Sequence, residues 1–138
     1  MRGHRIDAGD CDTCGIATTG EAYCWGMNST GNLGDGTYEG QHVSPNPVQG
    51  GLHFKSISTR GASTCALAQS GTPYCWGRLD YSVVGDASVS TVPIPLPGGV
   101  LMSSLDGAIA RVCGLTIANR AVCWTSVLAP PVEVPGQQ

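Results

Sequence analysis

Apolar residues along this chain fall in short segments, and clusters of Gly, Pro, Asn and Ser separate one segment from the next. The segment Lys55-Ser56-Ile57-Ser58 places one aliphatic residue between polar ones, which is typical of a short, half-buried strand. No segment repeats its apolar residues with the helical period of about 3.6 residues. The pattern therefore predicts an all-β protein whose short strands are joined by frequent turns.

A segment with two cysteines occurs three times, as CGIATTGEAYCWG from Cys14, CALAQSGTPYCWG from Cys65 and the divergent CGLTIANRAVCWT from Cys113. An aliphatic residue stands eight positions before the first cysteine of each copy, and a proline–glycine segment closes each unit. A repeat of roughly 50 residues indicates stacked units of supersecondary structure. We predict one repeat domain over 1–138, with units near 1–51, 52–99 and 100–138.

Each unit is predicted to hold a short strand, two strands that carry the cysteines, a loop and a proline-rich extended segment such as 92–96. Proline restricts that last segment to an edge strand or to an irregular conformation. The distance from the second cysteine to the closing glycine is 26 and 23 residues in the first two units, but 13 in the third. The third unit is therefore predicted to be truncated.

The spacing of the cysteines fixes the geometry of a hairpin. If Cys14 faces Cys24, the loop has three residues, and such loops commonly hold their third residue in the left-handed region, where Gly or Asn fits. That position is occupied by Gly20, Gly71 and Asn119. Opposed cysteines on neighbouring antiparallel strands are close enough for a disulfide. We therefore predict three structural disulfides, which are Cys14–Cys24, Cys65–Cys75 and Cys113–Cys123.

The same register predicts that both faces of each hairpin are buried. It pairs Ile16 with Ala22 on the face of the cysteines and Tyr23 with Gly15 on the other face, so that large residues lie over small ones. Stacked sheets follow from this pattern. The tryptophan after the second cysteine is predicted to pack between units rather than to form a ligand-stacking surface, at Trp25, Trp76 and Trp124.

Composition limits the class of protein further. Charged residues make up 12% of the chain, and 20 Gly and 9 Pro accompany a hydrophobic content of 41%, as expected of a loop-rich β protein. The net charge of −3 and the scattered Lys and Arg argue against nucleic-acid binding. No apolar run reaches the roughly 18 residues of a membrane span, and the N-terminus shows no apolar core of a signal peptide.

Seven cysteines indicate the compartment, because a reduced cytosolic protein has little reason to repeat one cysteine spacing three times. We predict an extracellular or periplasmic protein. Cys11 is left over as an unpaired thiol, either free or bridged to another chain.

Several motifs together resemble the regulator of chromosome condensation (RCC1-type) repeat family, in its cysteine-containing bacterial form. The matching motifs are the strand 56–58, TCAL at 64–67, AYCWG at 22–26, PYCWG at 73–77 and NSTGNLGDGT at 28–37. The resemblance implies β-propeller blades, each an antiparallel four-stranded sheet, in a ring usually of seven blades. Where the family commonly has His before Thr-Cys, this chain has Asp12, Ser63 and Arg111. Three units make a partial propeller, or one completed by another chain.

Candidate reactive motifs favour structural interpretations. The pair Cys11 and Cys14 has the spacing of a metal or redox motif, but no second ligand pair and no strand-to-helix setting accompany it. The stretch 33–37 offers few oxygen ligands for calcium and no lysine for phosphate, so we predict a tight turn. Asn28 begins a formal glycosylation sequon, which matters only in a eukaryotic secretory setting. No catalytic, cofactor or metal site is predicted.

The sequence thus predicts a non-catalytic β-propeller repeat module for protein binding or scaffolding in an oxidising compartment. The expected partner is a protein, and it includes the case of a second copy of this chain. Two alternatives stay open. One is a self-assembling structural or extracellular protein joined through exposed blade faces, and the other is a fragment of a larger propeller-containing enzyme or inhibitor.

Overall fold

The computed structural model describes residues 3–8, 12–60, 62–78, 89–108, 111–124 and 130–137. Within these ranges all regular secondary structure is β-strand, which confirms the predicted all-β class. The strands are β1 (Gly3–Ala8), β2 (Asp12–Ala17), β3 (Ala22–Met27), β4 (Gln41–Pro47), β5 (Phe54–Arg60), β6 (Ser63–Ala68), β7 (Pro73–Arg78), β8 (Val89–Pro95), β9 (Met102–Ala108), β10 (Arg111–Thr116), β11 (Ala121–Trp124) and β12 (Val132–Glu133).

These strands form three antiparallel sheets, and each sheet contains four strands that are consecutive in the chain. We call them sheet 1 (β1–β4), sheet 2 (β5–β8) and sheet 3 (β9–β12). Each sheet lies within one of the three repeat units, because hairpin connections keep consecutive strands adjacent.

The central hairpin of each sheet has the predicted register, with Cys14 opposite Cys24 and Gly15 opposite Tyr23 in sheet 1. The Gly20 N–H donates to the Ala17 carbonyl at 2.9 Å, which closes a turn at the tip of this hairpin. Gly20 then takes a positive φ of 102°, and the equivalent Asn119 takes 66°. Glycine and asparagine therefore stand where the turn requires left-handed backbone.

The fourth strand of each sheet is the outer edge. In sheet 1 the register between β3 and β4 shifts between Cys24 and Gly26, and Pro45 lies in the unpaired part of β4. Proline is tolerated there because its missing N–H faces no ladder partner. The outer strand of sheet 3 has only two residues, Val132 and Glu133, against seven in β4. The outer strand of the third unit is thus shorter than that of the first.

Two faces of each sheet have different chemistry. The cystine face carries the two cysteines and their neighbours, and the tryptophan face carries the tryptophan that follows the second cysteine. The cystine face of sheet 1 packs on the tryptophan face of sheet 2, where Ile16 and Cys24 join Ala66 and Trp76 in one core. The cystine face of sheet 2 packs in the same way on sheet 3, joining Leu67 to Val122 and Trp124.

The sheets approach each other most closely along their first strands. Strand β5 contacts β1 and β2 of the preceding sheet, and β9 contacts β5 and β6. Sheets that meet at their first strand and diverge toward their fourth are arranged as blades around an axis. The chain therefore forms a β-propeller segment of three blades.

The six repeated cysteines form three disulfides, each across a hairpin with 4.1 Å between the Cα atoms. Their pairs are Cys14–Cys24, Cys65–Cys75 and Cys113–Cys123. Closing so short a loop contributes about 2–3 kcal/mol in the chain-entropy model. Each hairpin is thus cross-linked within itself, and none of these three disulfides joins one sheet to the next.

Candidate interaction surfaces

The loop between β3 and β4 joins the first two blades. Asn28 is fully buried, and its Nδ2 donates to the Thr37 carbonyl at 3.1 Å and to the Thr37 hydroxyl at 2.8 Å. Its Oδ1 accepts from the Leu33 N–H at 3.2 Å. The Asn28 side chain thus satisfies backbone groups of the loop that have no strand partner. With its N–H satisfied in this way, Leu33 packs in the core between the sheets.

The same loop contacts the tryptophan of the second blade directly. Trp76 Nε1 donates to the Asn32 carbonyl at 3.0 Å, and the Thr64 hydroxyl donates to the same oxygen at 3.1 Å. A Cβ added at Gly34 would lie 2.6 Å from Trp76 Nε1, so only glycine lets the backbone pass over the indole. The glycine-rich motif 28–37 is therefore an inter-blade contact as well as a turn.

A buried pair of polar side chains, Asn32 of this loop and Asp12 of β2, also stabilises the loop. Asn32 Nδ2 donates to Asp12 Oδ2 at 2.9 Å and to the Met27 carbonyl at 2.9 Å. Both side chains are at most 4% exposed. Asp12 occupies the position at which the family resemblance implies histidine, and here it accepts a hydrogen bond from the loop. Sequence reasoning missed the burial of Asn28 and Asn32, although two asparagines within one glycine-rich stretch were its visible signal.

The motif 33–37 adopts a turn stabilised by its aspartate. Asp35 Oδ1 accepts from the Thr37 N–H at 3.0 Å, and Asp35 Oδ2 lies 3.1 Å from His42 Nδ1 on β4. Within the part of the chain that the structure describes, no three His, Cys, Asp or Glu side chains are arranged as metal ligands. The sequon at Asn28 is inaccessible to a glycan in the folded chain, because its amide is buried and hydrogen-bonded to Thr37.

The three repeated tryptophans differ in environment. Trp76 and Trp124 are fully buried between sheets, and Trp124 Nε1 donates to the Pro97 carbonyl at 2.8 Å. Trp25 is only half-buried, because no sheet precedes sheet 1 in the described residues. Two of the three side chains thus lie between blades, and the third lies on a face that is open.

Two faces at the ends of the stack are open. On the tryptophan face of sheet 1, Ile6 is 63% exposed, whereas the equivalent Ile57 is packed against the core between sheets 1 and 2. On the cystine face of sheet 3, Leu115 is 38% exposed, whereas the equivalent Leu67 is fully buried. Val132, opposite Cys123, is 64% exposed on the same face. Both open faces therefore present apolar residues of the kind buried elsewhere in the stack.

The hairpin tips form a third surface, which we call the hairpin rim. The first two residues of each tip are exposed, and they are Thr18, Thr19, Gln69, Ser70, Ile117 and Ala118. Because the three hairpins share one register and one turn, these tips lie at the same end of the propeller segment. Their backbone is constant while their side chains differ from blade to blade.

Charged side chains at this end interact locally. The Thr19 hydroxyl donates to Glu21 Oε2 and holds the pKa of that carboxyl below its ordinary value, and nearby His53 acts in the same direction. In sheet 3, Arg120 Nε donates to Glu133 Oε1 at 3.0 Å. That bond lowers the pKa of Glu133 and raises the pKa of Arg120. The ion pair joins the third hairpin to the short strand β12.

An open groove of about 290 Å³ lies between β5 and β9 near the axis. It is lined by Lys55, Ser56, Ser103, Ser104 and Leu105. The groove holds a single cationic side chain, and its serines are not positioned beside a histidine or a carboxylate in its lining. It carries no arrangement that we can assign to a reaction.

Some sequence predictions fall outside the described residues. Cys11, the seventh cysteine, is one of them, and the second-unit loop 79–88 is another. In the described part of the chain, no helix has the length and hydropathy needed to cross a bilayer.

Residues 19–67 match the family model of the Regulator of chromosome condensation (RCC1) repeat. Over 123 residues, 80% of the chain, it is 32% identical to the human E3 ubiquitin-protein ligase HERC2, and it covers 2% of that protein. It is 29% identical over 83 residues to the human probable E3 ubiquitin-protein ligase HERC4, of which it covers 8%. The chain thus spans less than a tenth of the length of these curated relatives.

Solved structures share the fold. Human WBSCR16 superposes with a TM-score of 0.85 at 19% identity, over 95% of this chain and 37% of that one. Prp20p from Saccharomyces cerevisiae superposes with a TM-score of 0.80 at 16% identity, over 99% of this chain and 39% of that one. The ectodomain of the Physcomitrella patens receptor kinase CR4 gives 0.58 at 29% identity, over 90% of this chain and 28% of that one. The match of residues 19–67 to the RCC1 repeat confirms the resemblance found in the sequence.

Proposed function

We propose that this segment of RCC1-type blades is a non-catalytic protein-binding module, and that the hairpin rim is its binding edge. One observation carries the proposal. The three hairpins repeat one register and one turn, while the exposed residues at their tips change from Thr-Thr to Gln-Ser to Ile-Ala. A rigid frame with variable exposed tips is the usual construction of a recognition surface.

Similar proteins bind other proteins. Prp20p is described together with its binding properties to Gsp1p and histones. A second structure shows yeast RCC1 (Prp20) bound by Kap60, and this chain superposes on it with a TM-score of 0.71 at 17% identity. Those partners belong to those proteins, and identities this low support a shared fold alone. For the present chain the partner is a protein whose surface complements the uncharged, mostly polar tips of the rim.

We place the module in an oxidising compartment, extracellular or periplasmic. Support comes from the three disulfides, since hairpins of this kind would be held reduced in the cytosol. Analysis of thiols in protein extracted under acid quench from the source cell tests the compartment. Three intact disulfides support the placement, and six free thiols at the paired positions contradict it.

Binding is tested with a partner captured by cross-linking in the extracellular or periplasmic fraction and then purified. Its affinity is measured by calorimetry for the wild-type chain and for a rim variant that combines Thr19→Arg with Gln69→Arg. We expect the rim variant to lose affinity by about tenfold or more, as for residues at the centre of an interface. The matched control is Val43→Arg, since Val43 is 85% exposed on the outer strand β4. Equal affinity of the rim variant and the wild type would overturn the assignment of the rim.

A further inference from the structure

We infer that the two open faces of the stack bind each other, so that a second copy of this chain docks head to tail on the first. The tryptophan face of sheet 1 in one copy would cover the cystine face of sheet 3 in the other. This assembly uses surfaces other than the hairpin rim. It goes beyond the proposed binding function, and each of the two can fail without the other.

The stack itself supplies the template for this interface. Two consecutive blade pairs inside the chain are packed by one rule, in which a cystine face receives the tryptophan face of the next sheet. At the first interface Ile16 and Cys24 receive Trp76, and at the second Leu67 receives Trp124. The two faces are thus complementary in shape and polarity at two places within one molecule. The same packing between two copies would form a third interface of this kind.

Both halves of a third interface are present on the surface. The cystine face of sheet 3 offers Leu115, 38% exposed, and Val132, 64% exposed. Their equivalents in sheet 2, Leu67 and Ile94, are buried or packed against the core between sheets 2 and 3. The partner half is the tryptophan face of sheet 1, with Ile6, 63% exposed, beside the half-buried side chains Tyr23 and Trp25.

The backbone repeats the same relation. The N–H of Phe54, the first residue of β5, donates to the Gly20 carbonyl of the preceding hairpin at 2.8 Å. The N–H of Met102, the first residue of β9, donates to the Gly71 carbonyl at 2.8 Å. The third member of the series is the carbonyl of Asn119, and no following sheet lies beyond it in the described residues. Gly3, the first residue of β1, pairs within its own sheet as Phe54 and Met102 do in theirs. The N–H of Gly3 in a second copy is therefore the expected donor to this carbonyl.

Such an interface is heterologous, because two different faces of each copy take part. Two chains of three sheets each would bring six sheets together, within the range of about four to eight blades that propellers adopt. If the rotation between copies closes, the product is a ring dimer with no open face. If it does not close, copies add head to tail without limit.

The association state is measured by analytical ultracentrifugation of the oxidised 138-residue chain over a wide range of concentrations. We expect a species of at least twice 14.2 kDa that dissociates on dilution. Leu115→Glu changes only the cystine face of sheet 3, and Ile6→Glu changes only the tryptophan face of sheet 1. Each variant alone should sediment as a monomer, because every possible contact then contains one altered face.

Mixing the two variants gives the decisive measurement. The Ile6→Glu chain keeps an intact cystine face, the Leu115→Glu chain keeps an intact tryptophan face, and one sound interface can form between them. We expect the equimolar mixture to form a dimer and nothing larger. The control Val43→Glu, which places the same charge on the outer strand, should associate like the wild type. If Leu115→Glu fails to fold by circular dichroism, Val132→Lys replaces it, since Val132 is still more exposed.

Three results would overturn the inference. A wild-type chain that stays at 14.2 kDa at every concentration means that the open faces do not bind a second copy. Association that only one of the two variants abolishes means that like faces pair. Association that neither variant changes means that another surface is responsible.

Discussion

Single residues of the 28–40 loop decide how the first two blades meet. Gly34 combines a positive φ of 68° with a position directly over the Trp76 indole. The turn residues Gly20, Gly71 and Asn119 could be predicted, because the hairpin register requires left-handed backbone at one place. The burial of Asn28 and Asn32 could not, because it depends on where the second blade sits, and a local pattern of polar residues does not report that.

Substitution of Gly34 tests this contact at the scale of one methyl group. Gly34→Ala should lose about 1–2 kcal/mol for left-handed alanine and about 1–3 kcal/mol more for overlap with the indole. Gly40→Ala is the matched control, since Gly40 has a φ of 88° and open space around its missing Cβ. Urea unfolding measures both variants. Equal losses in the free energy of unfolding at the two positions would show that the Trp76 indole can shift away from the added methyl group without destabilising the fold.

At the scale of the element, each hairpin is cross-linked by its own disulfide, and the neighbouring sheet determines how far that disulfide is shielded from solvent. The sequence predicted its strands, turn and cystine, because all three follow from local spacing. It did not predict which face meets which neighbour, because alternation along a strand distinguishes two faces without naming the sheet that covers each. The matched repeat, 19–67, itself runs from β3 of sheet 1 to β6 of sheet 2. One sequence repeat therefore contributes to two blades.

The three disulfides should differ in their rate of reduction. Cys14 and Cys24 are fully buried and Cys65 and Cys75 are at most 6% exposed, whereas the cystine of sheet 3 lies half-buried on an open face. In dilute, monomeric protein we expect a thiol reductant to open Cys113–Cys123 first, since exchange requires access to sulfur. Alkylation followed by peptide mass spectrometry gives the order. Earlier reduction of Cys65–Cys75 would contradict the burial described for sheet 2.

The ion pair between Arg120 and Glu133 makes the attachment of β12 depend on pH. The pKa of Glu133 is lowered in the folded chain, chiefly by the hydrogen bond from Arg120. The stabilisation is therefore complete above the unfolded glutamate pKa of about 4.3 and is lost as the pH falls through the lower, folded pKa. Glu133→Gln should reduce the loss of stability on acidification. The carboxyl titration of Glu133, followed by NMR in wild type and in Arg120→Met, checks the cause, because the pKa should rise in the variant.

At the scale of the whole molecule, stability is distributed unevenly along the stack. Sheet 2 is covered on both faces, and the 28–40 loop adds the Thr30–Ala62 and Trp76–Asn32 hydrogen bonds between sheets 1 and 2. Sheet 3 has a two-residue outer strand and one open face. In a repeat array each unit is stabilised by its own contacts and by those with its neighbours, so the end with fewer of both should open first.

Hydrogen exchange reads this gradient directly. In the monomeric Ile6→Glu chain, we expect amides of β10 and β11 to exchange faster than those of β6 and β7, because sub-global opening needs fewer contacts to break. The two hairpins share one turn and one cross-link, and they differ in the length of the second strand, in the outer strand and in inter-blade contacts. Uniform exchange in all three hairpins would mean that the stack unfolds as one cooperative unit.

The unlike faces of each sheet have a consequence for how such a chain can change its size over generations. Every blade presents a receiving face on one side and an inserting face on the other, so a tandem copy of the gene segment fits its neighbours as soon as it is translated. The apolar faces of a new junction are matched from the start, and only the loop residues that differ between blades have to adapt to it. Blade number can therefore drift by duplication and deletion, while the residues at each junction stay under constraint.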